Sequence, residues 1–129
     1  MNSSFNKKSL IFGSSVGDLT IKNLETGEVQ IKSEHLMGKR TWIRSIKKDK
    51  YHRYWVGSTL QLAVYDKNFK LVKNFIVEEE VNFYGNFNTF YLDGKKQRGY
   101  WWVSRSKIDV IDLRTMRVIY SIFNLVKGI

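Results

Sequence analysis

The sequence predicts an all-β fold assembled from repeated antiparallel units, and three observations predict it. Short apolar runs alternate with a period of two, as in Leu19 and Ile21, Leu62 and Val64, and Ile108 and Val110. Trp, Tyr, Val, Ile and Phe dominate these runs, and those side chains pack best on a pleated surface. Turn-forming pairs separate them: Gly17-Asp18, Thr26-Gly27, Lys67-Asn68 and Asp93-Gly94. No stretch of about a dozen residues carries an apolar face at the 3.6-residue spacing of a helix.

The runs repeat three times. Ile11, Phe12, Gly13 and Ser14 match Trp55, Val56, Gly57 and Ser58, and then Trp102, Val103, Ser104 and Arg105. Each group is followed by an apolar-x-apolar-x-Asn/Asp run ending at Asn23, Asp66 or Asp112, with Val29, Val72 or Val118 six residues later. Asn23 and Asp66 are 43 residues apart, and Asp66 and Asp112 are 46 apart. Ahead of copies two and three, Ile43, Ile46 and Asp49 share their spacing with Phe87, Phe90 and Asp93. A repeat of this length with four short antiparallel strands is one blade of a β-propeller. A single open β-sandwich or barrel of similar strand count is the rival architecture.

The elements follow in order. Blade one, residues 1–36, holds only three strands, Ser9–Ser14, Leu19–Asn23 and Glu28–Lys32, so its first strand is missing. Blade two, residues 37–80, holds Trp42–Lys47, Arg53–Ser58, Leu62–Asp66 and Lys70–Phe75. Blade three, residues 81–129, holds Asn86–Leu92, Tyr100–Arg105, Lys107–Asp112 and Arg117–Phe123. Three blades do not close a ring, since propellers use about four to eight. Either this is a segment of a longer propeller, or two copies form a homodimeric six-bladed ring, which would cover the open edge strands.

Composition narrows the function. The chain has 129 residues, 43% hydrophobic and 15% aromatic, enough to bury one core. The absence of cysteine excludes disulfides, thiolate metal sites and a cysteine nucleophile. No apolar run approaches the roughly 18–20 residues of a membrane helix, so no transmembrane segment is expected. After Lys7 and Lys8 only Leu10, Ile11 and Phe12 are strongly apolar, too short a run for a secretory signal. The expected compartment is cytoplasmic for a complete chain and periplasmic for a segment of a sensor receptor.

Here a family resemblance becomes specific. Ile43, Ile46 and Asp49, then Trp55 to Ser58, then Val64, Tyr65 and Asp66, resemble the two-component regulator propeller repeat of bacterial hybrid histidine kinase sensor regions. Blade three matches at Phe87, Phe90, Asp93, Trp102, Val103 and Asp112. It departs at Ser104 and Arg105, and by three extra residues between Asp93 and Trp102. Blade one matches at Gly13, Ser14, Gly17 and Leu19 but lacks the Trp. Leu19–Gly27 is equally similar to the WD40 repeat, although the Gly-His and Trp-Asp dipeptides of that family are absent. The first resemblance implies a ligand-sensing segment of a two-component receptor. The second implies a protein-interaction scaffold.

No residue pattern points to catalysis or to a cofactor. His35 and His52 are far apart and lack the three ligands a zinc site needs. No phosphate loop or nucleophile elbow occurs. Gly13 and Gly57 sit inside strands, where glycine marks a bulge or a close backbone approach. Asp66 and Asp112 are expected to accept hydrogen bonds from their own turns rather than to act as acid or base. Trp55 and Trp102 are expected to anchor blade packing, with Trp101 on the opposite face from Trp102.

Two regions are candidate binding surfaces. The net charge is +10, with +6 on the first 64 residues and +4 on the rest, so the excess is spread along the chain. The propeller topology gathers the turns after first and third strands on one face. That face would hold Lys47, Lys48, Lys50, His52 and Arg53, then Lys95, Lys96 and Arg98, with Lys67, Lys70, Arg114 and Arg117 beside them. It would dock an anionic partner such as an acidic protein or phospholipid head groups. Nucleic acid is less favoured, because no RNA-binding row of aromatics interleaved with Arg is present. The long loop Ile76–Gly85 carries Glu78, Glu79 and Glu80 on the other face. With Asn82, Phe83, Tyr84 and the neighbouring Asn86 it suits a small ligand such as an oligosaccharide.

Overall fold

The computed structural model describes residues 8–36, 42–58, 61–76, 90–104 and 107–123. These residues form three separate antiparallel sheets. The first comprises β1 (Ser9–Gly13), β2 (Leu19–Asn23) and β3 (Val29–Lys32), paired in that order. The second comprises β4 (Ile43–Lys48), β5 (Tyr54–Ser58), β6 (Gln61–Tyr65) and β7 (Leu71–Ile76). The third comprises β8 (Phe90–Asp93), β9 (Arg98–Ser104), β10 (Lys107–Asp112) and β11 (Arg117–Phe123). Each sheet is an open meander in which consecutive strands are neighbours. The strands occupy the runs read from the sequence, with ends displaced by one or two residues. Positions 86–89 and 105 of the expected third-blade strands lie outside the described residues.

The second sheet lies between the other two, and period-two side-chain geometry explains how. On one face, Tyr54 and Val56 of β5 and Ala63 and Tyr65 of β6 pack with Ile11, Leu19 and Ile21 of the first sheet. On the other, Trp55, Leu62 and Val64 pack with Phe90, Trp101, Val103 and Ile111 of the third. Every residue of β5 and β6 is therefore buried. A strand buried on both faces reads as a continuous apolar run, as these two do. Burial of large apolar side chains on both faces, about 1.5–3 kcal/mol each, is what joins the three sheets.

The parity of the tryptophans corrects one expectation. Trp101, not Trp102, enters the interface with the second sheet, where its ring meets Phe75 edge-on at 6.2 Å. Trp102 pairs with Ile108 on the outer face of the third sheet and is only half-buried. Trp55 points in the corresponding direction from the second sheet, toward the third. Trp55 and Trp102 are thus equivalent in register, and among the described residues only Trp55 has a sheet lying over it.

The Asp and Asn residues at strand ends have the expected turn role. Asp66 Oδ1 accepts from the amides of Asn68 and Lys70, at 2.9 and 3.0 Å. Asp112 Oδ1 accepts from Arg114 N at 3.0 Å, Asp93 from Lys95 and Lys96, and Asn23 from Glu25 and Thr26. These bonds satisfy turn amides that would otherwise need water. Gly13 is a close-approach position: a Cβ there would lie 2.5 Å from Ile43 Cγ2. Its bare backbone lets β1 meet the start of β4, where Ile43 N donates to Ser14 O at 3.2 Å.

Candidate functional site

The turn after β4 is organised by one carboxylate. Asp49, 4% exposed, accepts from Tyr51 N (2.8 Å) and Arg53 N (3.0 Å) at Oδ1. Its Oδ2 accepts from Arg53 Nε and from Trp55 Nε1, both at 2.8 Å. Arg53 also donates from Nη2 to the carbonyl of Leu113, in the turn between β10 and β11. This bond ties the second sheet to the third and sets their turns side by side. The Arg53 side chain is 13% exposed, so its charge is spent on Asp49 and Leu113 rather than presented to a partner.

That tie also fixes the location of the basic residues. The β4–β5 and β6–β7 turns share one end of the second sheet, because its strands alternate in direction. The β8–β9 and β10–β11 turns share one end of the third, joined by Leu113 N donating to Gln97 O at 3.1 Å. The Arg53–Leu113 bond puts both pairs at the same end. Lys47, Lys50, Lys95 and Lys96 are exposed there, as are Lys67, Lys70, Arg114 and Arg117. Lys48 and Arg98 are half-buried, and partial burial lowers the Lys48 pKa. The acidic residues of this end, Asp49, Asp66, Asp93 and Asp112, each direct an oxygen at turn amides. The β2–β3 turn of the first sheet carries Glu25 and Glu28 beside Lys8 and Lys22, so the basic excess belongs to the second and third sheets. Asn82, Phe83, Tyr84 and Asn86, with the rest of the 77–89 stretch, lie outside the described residues.

His35 occupies a different buried position. It lies in a single 3₁₀ turn, Glu34–Leu36, packed against β6 and β7. Its Nε2 is 2.9 Å from the carbonyl of Gly17, which can only accept, so Nε2 carries the proton. Nδ1 then accepts from the Tyr65 hydroxyl at 2.6 Å. The His35 carbonyl accepts from Gln61 Nε2 and from Asn74 Nδ2. The residue therefore closes the seam between the first two sheets as a neutral imidazole. Burial lowers its pKa from 6.5, outweighing the Gly17 carbonyl, Glu34 and Asp18, and burial raises that of Tyr65. A histidine with a depressed folded pKa binds its proton more readily when unfolded. The stability is intact above about pH 6.5 and is lost as pH falls through the lower folded value. The expected result is a fall in stability as the pH drops below about 6.5. Urea midpoints measured across that window would show it, and His35→Gln should flatten it. An unchanged slope in that variant would refute the assignment.

Among the described residues no three His, Asp or Glu side chains gather to hold a metal, and no helix is long and apolar enough to cross a membrane. No family model matches the chain, and no curated protein matches it.

Proposed function

We propose that this chain is a β-propeller segment of about three blades acting as a non-catalytic recognition module, whose basic turn end docks an acidic protein partner. Three stacked antiparallel meanders with one strand parity support the propeller reading. The docking reading rests on one observation: the exposed Lys and Arg of four adjacent turns converge on the same end of two sheets. Turns carried by a rigid stack suit recognition, because their side chains are presented at low ordering cost. Like charges held together at one end raise the local potential and steer an anionic surface toward it. On the resemblance of its repeat to that of two-component regulator propellers, such a module would belong to a receptor's sensing region. On that reading the 82–86 stretch would contact a small ligand.

The test compares two double reversals of equal charge. Lys95→Glu with Lys96→Glu should lower the salt needed to elute the protein from immobilised polyglutamate. Lys22→Glu with Lys32→Glu, on the first sheet, should change it far less. Screening over a Debye length of about 10 Å at 0.1 M salt makes retention depend on the local patch more than on the charge of the whole chain. Equal shifts for both pairs would mean that net charge alone drives retention, and the docking end would be abandoned.

A further inference from the structure

Each sheet has a forward face, turned toward the next sheet in chain order, and a rear face. The forward face of the first sheet, with Ile11, Leu19 and Ile21, meets the rear face of the second, with Val56, Ala63 and Tyr65. The forward face of the second, with Trp55, Leu62 and Val64, meets the rear face of the third, with Trp101, Val103 and Ile111. The repeat carries this parity onward: Trp102, Ile108 and Val110 stand in the third sheet where Trp55, Leu62 and Val64 stand in the second. Among the described residues no sheet lies over the forward face of the third sheet or the rear face of the first.

Both of these end faces are apolar. On the third sheet, Tyr91, Tyr100, Val110 and Tyr120 form one cross-strand row, and Trp102, Ile108 and Ile122 form the next. Val110 is buried between its neighbours, but Tyr91 is 64% exposed, and Tyr120 and Ile122 are exposed as well. The rings of Tyr91 and Tyr100 lie side by side, 6.1 Å apart. On the rear of the first sheet, Phe12, Thr20 and Ile31 form one row, and Leu10, Lys22 and Val29 the other. Ile31 is 63% exposed, and Phe12 and Val29 are exposed beside it. Scattered apolar residues on a surface are ordinary, whereas contiguous rows mark an interaction surface. Tyrosine and tryptophan are enriched at the centres of such surfaces.

We propose that a second copy of this chain covers both faces, the forward face of each third sheet docking on the rear face of the other copy's first sheet. The occupant follows from the parity. Both internal interfaces join a forward face to a rear face, and the rear face left open is that of the first sheet. The second sheet separates the two open faces on one chain, so two chains are needed to bring them together. Two reciprocal contacts then close six sheets into a ring, within the range of about four to eight blades that propellers use. Lys22 is the one charge in these four rows, and its aliphatic stem can lie along the tyrosines while the amine reaches water. The proposal rests on the propeller reading above and adds the partner and the surfaces that join it.

The experiment is sedimentation velocity on the full chain over a concentration series, with Tyr120→Glu changing the third sheet and Ile31→Arg the first. The unsubstituted chain should sediment at twice the mass of one copy. Each variant alone spoils both contacts of its own ring, and should raise the concentration needed for dimer by at least about tenfold. An equimolar mixture of the two variants should recover dimer, because one of its two contacts then joins two unchanged faces. Circular dichroism would confirm that each variant folds, and Tyr120→Ser or Ile31→Ser serves where the charged change does not. Four results would each overturn the proposal: a monomeric unsubstituted chain, open-ended oligomers, a dimer that survives either substitution, or a mixture no better than its components. Amide exchange separates this proposal from the reading beneath it. A monomer with β5 and β6 protected ends the two-copy ring alone, and a monomer in which both strands exchange freely ends the propeller reading as well.

Discussion

Asp49→Ala is expected to destabilise the fold by about 3–5 kcal/mol, the usual cost of breaking a buried ion pair from one side. The carboxylate receives four hydrogen bonds, two from backbone amides and two from the side chains of Arg53 and Trp55. Alanine would leave the Arg53 guanidinium largely buried with no counter-charge, and the Trp55 N–H without its acceptor. Asp49→Asn should recover part of the loss. Its Oδ1 still accepts from the turn amides, but its amide nitrogen confronts two donors. A domain with about 5–15 kcal/mol of total stability would show either change clearly in urea unfolding. A cost below about 1 kcal/mol for alanine would mean that water replaces the carboxylate, and that the hub is not structural.

How much of this was legible in the sequence depends on the kind of interaction. The strands were legible because period-two alternation and turn residues are local signals. So was the turn role of Asp66 and Asp112, which act on amides two to four residues on. Asp49 looked like a repeat position, yet its partners are specific to the second sheet. In the third sheet three extra residues separate Asp93 from Trp102, and Asp93 serves only its own turn amides among its side-chain bonds. Arg53 read as a surface cation because its acceptor, the Leu113 carbonyl, is 60 residues away. His35 read as an isolated histidine for the same reason, with Tyr65 lying 30 residues on. The β-bulge at Arg44, between the Ile43–Ser58 and Ser45–Gly57 pairs, gave no signal at all. A bulge depends on the pairing register, and register is set by the partner strand rather than by the bulged one. Trp102 was expected to anchor the packing and Trp101 does so instead, because parity names two faces without saying which one is covered.

Trp55→Ala should cost about 3–5 kcal/mol, the range for removing a large buried aromatic. The indole is fully buried, stacked on Phe90 at 5.2 Å with an 8° tilt and on Phe75 at 6.2 Å. It also donates to Asp49, so packing and hydrogen bonding must be separated. Trp55→Phe keeps an aromatic ring but loses the donor and part of the indole's volume, and should cost about 1–3 kcal/mol. If phenylalanine is as damaging as alanine, a single remaining ring does not sustain the stack, and the hydrogen bond and the indole's full volume carry the interaction. The location of the damage is equally informative. Trp55 faces the third sheet only, and the first sheet meets the opposite face of the second. In a stack where each sheet touches only its neighbours, loosening one interface need not loosen the other. Amide exchange in Trp55→Ala should therefore quicken first in β9 and β10, while β1 and β2 stay protected. Uniform acceleration across all three sheets would show that the stack unfolds as one cooperative unit, so that neither interface has a stability of its own.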